Sequence, residues 1–263
     1  MTTTMADTPS TILKPGAGGP RAASANGDPF GQAQRLARMT GFLFLVTYVT
    51  SIPAVLFSYA PALSDPDFVL GGGFDRGVAG GAFLELVLIL ANVGTALALY
   101  PVLRRDSEVL ALGFVTARLV ESGFIAMGIV AMMALNTLRF EAGQSDQAAL
   151  LVAGQALVAV HDWTFRIGPG VVVGVGNGLI LGWLMWRTRL VPRALSFLGL
   201  VAGPALLVAG AAVLFGSIEP ASTAQIVATI PEFFWELILG IWLLVRGFAP
   251  GPLAALLQRH QGE

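Results

Sequence analysis

The chain has 263 residues, 55% of them hydrophobic and only 12% charged, with a formal net charge of −1 and a mean hydropathy of +0.75. A soluble domain carries about 25% charged residues, so the expected solvent and first partner of this chain is the lipid bilayer, and its near-neutral charge argues against a nucleic-acid partner. With no cysteine and only His161 and His260 as imidazoles, disulfides and thiol chemistry are excluded, and neither a haem or zinc centre nor any other cofactor is expected.

Residues 1–37 stand apart. "MTTTMADTPSTILKPGAGGPRAASANGDPF" is rich in Thr, Ala, Gly, Ser and Pro and has almost nothing to bury, which predicts a disordered tail. It lacks the apolar core of a signal peptide. The first greasy run begins only near Met39, so the first helix is expected to act as its own insertion signal.

About 20 apolar residues cross a bilayer core. Six runs reach that length, roughly 39–60, 77–103, 109–135, 167–186, 194–216 and 224–246. They predict an all-α, polytopic bundle of six transmembrane helices over 38–248, followed by a C-terminal tail at 249–263. A further apolar run, "AALLVAGQALVAV" at 148–160, is too short to span. It predicts an additional short helix on the outer side: interfacial, re-entrant or an outward extension of the fourth span.

Orientation follows from the cations. With the N-terminus inside, inner segments hold Lys14, Arg21, Arg35, Arg38, Arg104, Arg105, Arg187, Arg189, Arg193, Arg246 and Arg259, whereas outer segments hold only Arg76, Arg139 and Arg166. That asymmetry places both termini in the cytoplasm. Trp183, Trp186 and Trp242 lie near inner arginines, where an aromatic belt belongs. Lys14 is the only lysine, and Ala, Gly, Val and Leu dominate; this bias is that of a GC-rich bacterial genome and points to a bacterial cytoplasmic membrane.

Local chemistry agrees with the spans. Asp106 is placed to cap the third, with Glu108 in its first turn facing the positive end of the helix dipole. In the fourth, Gly170, Gly174, Gly178 and Gly182 recur every four residues and predict a smooth face for close helix packing, with Gly199 and Gly203 offering the fifth span a shorter version. "GVGNG" in this run is no nucleotide loop, because no strand precedes it and no Lys follows. The two halves of the chain share no convincing repeat, so an inverted-repeat transporter architecture is unsupported.

The costly residues are the charges inside the spans. An Arg or Asp at the centre of a membrane helix costs roughly 2.5–3.5 kcal/mol by insertion measurements. Arg118 and Glu121 sit one helical turn apart and can partly neutralise each other. Glu85 lies in the second span with Asn92 two turns along the same face. Glu232 and Glu236 follow Pro231 in the sixth, on a stripe that runs Gln225, Thr229, Glu232, Glu236 and Gly240. Glu85 and Glu232 each sit about 12 Å from the outer end of their helix at 1.5 Å per residue, a level that Glu121 also reaches. Four carboxylates and one guanidinium are therefore expected to converge, with Glu85, Asn92, Arg118, Glu121, Glu232 and Glu236 as binding residues. An excess of acid in a dry bundle calls for protonation, water, or a cationic ligand. The plainer alternative is that Arg118 and Glu121 only pin helices together. His161 and Asp162, beside Trp163, read as a solvated helix cap at the outer mouth, with a gating or proton-entry role as the sharper alternative.

The segments "ARLVES" at 117–122, "HDWTFRIGPG" at 161–170, "WRTRLVPR" at 186–193 and "PEFFWELILGIWLLVRGF" at 231–248 resemble a bacterial membrane family known as domain of unknown function (DUF) 4386, over about 38–248. The resemblance implies a six-span integral membrane protein, singles out Arg118, Glu121, Glu232 and Glu236, and supplies no activity. The expectation is a membrane protein that binds, or moves, a proton, cation or small amine-bearing solute through a buried carboxylate pocket. The alternative is a non-transporting accessory or stress-response subunit whose charges are structural. A lipid enzyme is the weakest reading, because the sequence has no nucleophile elbow, no metal-binding histidine pattern and no clustered aspartates.

Overall fold

A computed structural model of the chain describes residues 28–144 and 146–259; residues 1–27 of the expected tail, together with His260, lie outside the described residues. Every regular element among the described residues is helical. Among the described residues, six helical segments are long and apolar enough to cross a membrane: Pro29–Ser58, Arg76–Leu103, Glu108–Glu141, Gln147–Thr188, Arg193–Leu214 and Thr223–Val245.

Helix α1 (Pro29–Pro53) starts ten residues before the apolar run does. Asp28 caps it, accepting from the Phe30 N–H at 3.1 Å, and Pro29 occupies the first turn, where its missing N–H costs nothing. The expected boundary of the tail at residue 37 is therefore corrected. Residues 29–37 are helical because Ala33 and Ala37 are buried in the main core with Leu253, Leu256 and Leu257 of the C-terminal helix. Within the expected C-terminal tail at 249–263, residues 250–258 are helical as well, and residues 260–263 lie outside the described residues. After α1 a π-helical turn, Ala54–Ser58, leads into the short α2 (Ala60–Ser64).

Helices α3 (Arg76–Leu103) and α4 (Glu108–Glu141) form an antiparallel pair. The N-cap of α4 is Ser107, whose Oγ accepts from the Leu110 N–H at 3.4 Å. Asp106, the expected cap, instead lies 3.2 Å from Nε of Arg187, one residue too early in the turn to reach the free N–H groups of α4. Helix α5 (Gln147–Ile167) continues through π-helical turns at Gly168–Val172 and Gly174–Leu181 into α6 (Gly182–Thr188). The run at 148–160 is thus an extension of the fourth span, which reaches 42 residues in all. Pro169, which has no N–H to donate, and the glycines around it account for the switch from α to π turns. Helices α7 (Arg193–Leu214), α8 (Thr223–Val245) and α9 (Pro250–Gln258) follow.

The six spans close into a ring in which α1 packs on α3 and α8, α3 on α4, α4 on α5, the π-helical segment on α4 and α7, and α7 on α8. One end, the base, gathers the start of α1, the turns 104–107 and 189–192, and α9. Gln34 fastens it by accepting from the Phe248 N–H at 2.9 Å and donating to the Phe248 carbonyl at 2.8 Å. At the opposite end, the crown, Tyr59, Ala62, Phe68 and Val69 pack against Met132, Leu135 and Leu150. There Asn136 accepts from the Asp75 N–H at 2.8 Å and donates to its carbonyl at 2.9 Å.

Candidate functional site

Three of the four expected carboxylates face one cavity of about 330 Å³ between α1, α3, α4, the π-helical segment and α8. Arg118 is 2% exposed. Its Nη1 lies 2.7 Å from Glu121 Oε2 and 3.8 Å from Glu236 Oε1, which joins α4 to α8. Its Nε donates to Thr95 Oγ1 at 3.5 Å, and its guanidinium lies over the Phe44 ring at 5.5 Å. Glu121 is fully engaged, since Oε1 accepts from Asn92 Nδ2 at 3.0 Å. Asn92, Thr95, Arg118 and Glu121 therefore form one hydrogen-bonded unit between α3 and α4.

Glu232 and Glu236 differ from that unit. Glu232 is 4% exposed, and among the described residues neither of its oxygens has a hydrogen-bond partner; Oε1 of Glu236 also lacks one there. Both line the cavity. Room for Glu232 comes from Gly178, where an added Cβ would lie 3.0 Å from Glu232 Oε2. Trp235 points away from the cavity into the core, donating from Nε1 to the Asn177 carbonyl at 3.1 Å. Gly199 admits its ring, which a Cβ there would meet at 2.7 Å.

Glu85 does not join this site, which corrects the expected four-carboxylate cluster. It is buried at 1% exposure and accepts from the Tyr59 hydroxyl at 3.0 Å. Tyr59 in turn meets His161 edge-on, with centroids 5.3 Å apart, and His161 stacks on Phe165 at 5.6 Å. The levels explain the separation. Arg118 touches Thr95 of α3 and Glu236 of α8, setting those two at one height. Glu85 is ten residues from Thr95, whereas Glu232 is only four from Glu236. At 1.5 Å per residue Glu85 stands about 9 Å nearer the crown than Glu232.

His161 is likewise corrected from a solvated cap to a buried residue, 2% exposed, in the interior of α5. Gly128 of α4 makes room for it, since a Cβ there would lie 3.4 Å from the imidazole. Asp162 remains half-exposed and pairs with Arg166 at 3.2 Å.

Several contributors were not anticipated from the sequence. Tyr48 donates to the Phe233 carbonyl at 2.6 Å and sets its ring edge-on to Phe233 at 5.1 Å, tying α1 to α8 about one turn nearer the base than Ser51, Ile52 and Thr229. Thr95 and Tyr59 are the others. All three are polar residues inside apolar runs, and Thr95 follows Asn92 at helical spacing; that was the available signal.

A ring of six apolar helices around a cavity lined by largely buried acidic side chains defines a polytopic α-helical membrane protein. The chain belongs to the family described as domain of unknown function (DUF4386), whose profile matches residues 39–247, as its motifs led us to expect. No curated protein and no solved structure matches the chain.

Proposed function

We propose that the protein binds a small cation, best an amine-bearing solute, in the cavity between α1 and α8. The observation that carries this reading is Glu232: a buried carboxylate facing the cavity with both oxygens unpartnered. A buried ionised group without a partner is expensive, and the nearby Arg118 guanidinium is already committed to Glu121. A cationic ligand, or a proton, supplies the missing charge. The cavity favours the larger of these, because about 330 Å³ is many times the roughly 10–15 Å³ that one water requires on this measure. Glu232 and Glu236 hold the ligand, while Arg118, Glu121 and Asn92 fix the opposite wall.

The saturated Arg118–Glu121–Asn92 unit favours a second reading, in which these charges knit α3 to α4 and the protein serves as a non-transporting accessory subunit. The excess acid on α8 is what that reading leaves unexplained. On either reading the protein sits in a bacterial cytoplasmic membrane with its base and both termini in the cytoplasm, as the arginine asymmetry argues.

The test is a thermal-stability screen of the purified protein against alkali cations and small ammonium ions, alongside Glu232→Gln. Saturable stabilisation by an ammonium ion in the parent and not in the variant supports binding. No response to any cation removes the proposal.

A further inference from the structure

The mouth of the cavity indicates what kind of cation it takes. On the α1–α8 side the lining residues are Tyr48, Ser51 and Ile52 from α1 and Thr229 and Phe233 from α8. Thr229 and Phe233 also line a second, shallow groove of about 260 Å³, completed by Gln225, Ile226 and Ile230 on the outside of α8. Ile226, Ile230 and Phe233 are 54%, 46% and 40% exposed, and Ile52 is 39% exposed. Both helices belong to spanning segments, and large apolar side chains exposed on a spanning helix face acyl chains. An apolar groove against the lipid therefore runs, through two shared residues, into a cavity whose depth holds the unpartnered Glu232.

We propose that the ligand is an amphiphilic ammonium cation that enters from the bilayer between α1 and α8, placing its charged head at Glu232 and Glu236 and its chain along the α8 groove. This rests on the cation-binding reading and adds to it the ligand's class and route. A hydrophilic ion would have to leave water for the acyl-chain region to reach this mouth, whereas an amphiphile is already there. Lipid tails are as apolar as the groove, so the chain gains little on leaving them; its contribution is to concentrate the ligand in the membrane beside the mouth. Thr229 supplies a polar step on the rim that the head passes.

The experiment uses the full chain in bilayer nanodiscs of zwitterionic lipid, titrated with dodecylammonium, ethylammonium and dodecanol, with the unfolding temperature as readout and empty discs as control. The expected result is saturable stabilisation by dodecylammonium at an aqueous concentration at least tenfold below that of ethylammonium, none by dodecanol, and loss of the response in Glu232→Gln. Ile226→Trp, at an exposed position in the part of the groove that the cavity does not share, should fill the path of the chain, weaken dodecylammonium at least tenfold and leave ethylammonium unchanged. Equal half-saturation by the two amines, abolished by Glu232→Gln, overturns bilayer entry and leaves the cation site standing. Stabilisation by dodecanol matching that by dodecylammonium overturns the charge-reading role and leaves only an acyl-chain groove. No saturable response to either amine overturns the cation site and this inference together.

Discussion

Gly178 of the π-helical segment faces Gly203 of α7 so closely that a methyl group on Gly178 would overlap the Gly203 backbone. Gly174 repeats the contact one turn earlier, where an added Cβ would lie 3.0 Å from the Gly203 carbonyl oxygen. Such small-residue faces let two backbones approach where lipid offers no hydrophobic drive to bring helices together. The close approach also frees the space that Glu232 occupies, so packing and site share one cause.

Gly178→Leu should therefore cost at least the 1–3 kcal/mol or so typical of an overpacked core and distort the cavity. Gly123→Leu is the control: Gly123 is exposed, and an added Cβ there meets nothing within 4 Å. Thermal unfolding in detergent should show a large fall for Gly178→Leu and almost none for Gly123→Leu. Similar small effects would mean that the glycine face touches lipid.

Threading can be tested independently. Reporter fusions after Arg105, Arg193 and Arg246, all at the base, should report cytoplasm; fusions at Asp67, Asp146 and Glu219, all at the crown, should report the opposite side. An external signal after Arg193 is incompatible with six spans and a cytoplasmic N-terminus.

The spans were legible because hydropathy integrates over about 20 residues, and Arg118–Glu121 because a three-residue spacing fixes one face of one helix. What escaped depends on relations between helices. Glu85 was matched to Glu232 by counting inward from each helix end, but α3 begins nearer the crown than α8, and no residue in either run records that offset. The start of α1 and the whole of α9 are weak signals alone; Ala33 and Ala37 become core residues only beside Leu253, Leu256 and Leu257. His161 looked solvated next to Asp162 and Trp163, and its burial comes from Gly128 on another helix.

Tyr59→Phe tests whether the Glu85 cluster is separate from the cavity. The substitution removes the hydroxyl that donates to Glu85 and leaves a buried carboxyl with one partner fewer, at a cost of about 1–3 kcal/mol. The unfolding temperature should fall while the half-saturating concentration of a stabilising amine stays unchanged. A comparable loss of amine response would unite the two clusters.

The ion pairs around Arg118 can be ranked by distance. Removing one partner of a buried pair costs about 3–5 kcal/mol, so Arg118→Met should lower stability by that order. The guanidinium lies 2.7 Å from Glu121 and 3.8 Å from Glu236, which makes Glu121 the main carboxylate left uncompensated. Adding Glu121→Gln to Arg118→Met should restore part of the loss, because the amide removes the charge and still accepts from Asn92. Adding Glu236→Gln should restore less. Thermal unfolding of the parent, the three single variants and the two doubles yields both coupling energies, and contacting charges show couplings of about 0.5–3 kcal/mol. A larger coupling to Glu236 would make the α4–α8 pair, on the cavity side, the principal role of Arg118. An Arg118→Met protein as stable as the parent would mean that the arginine compensates no buried acid, and the site would lose its fixed wall.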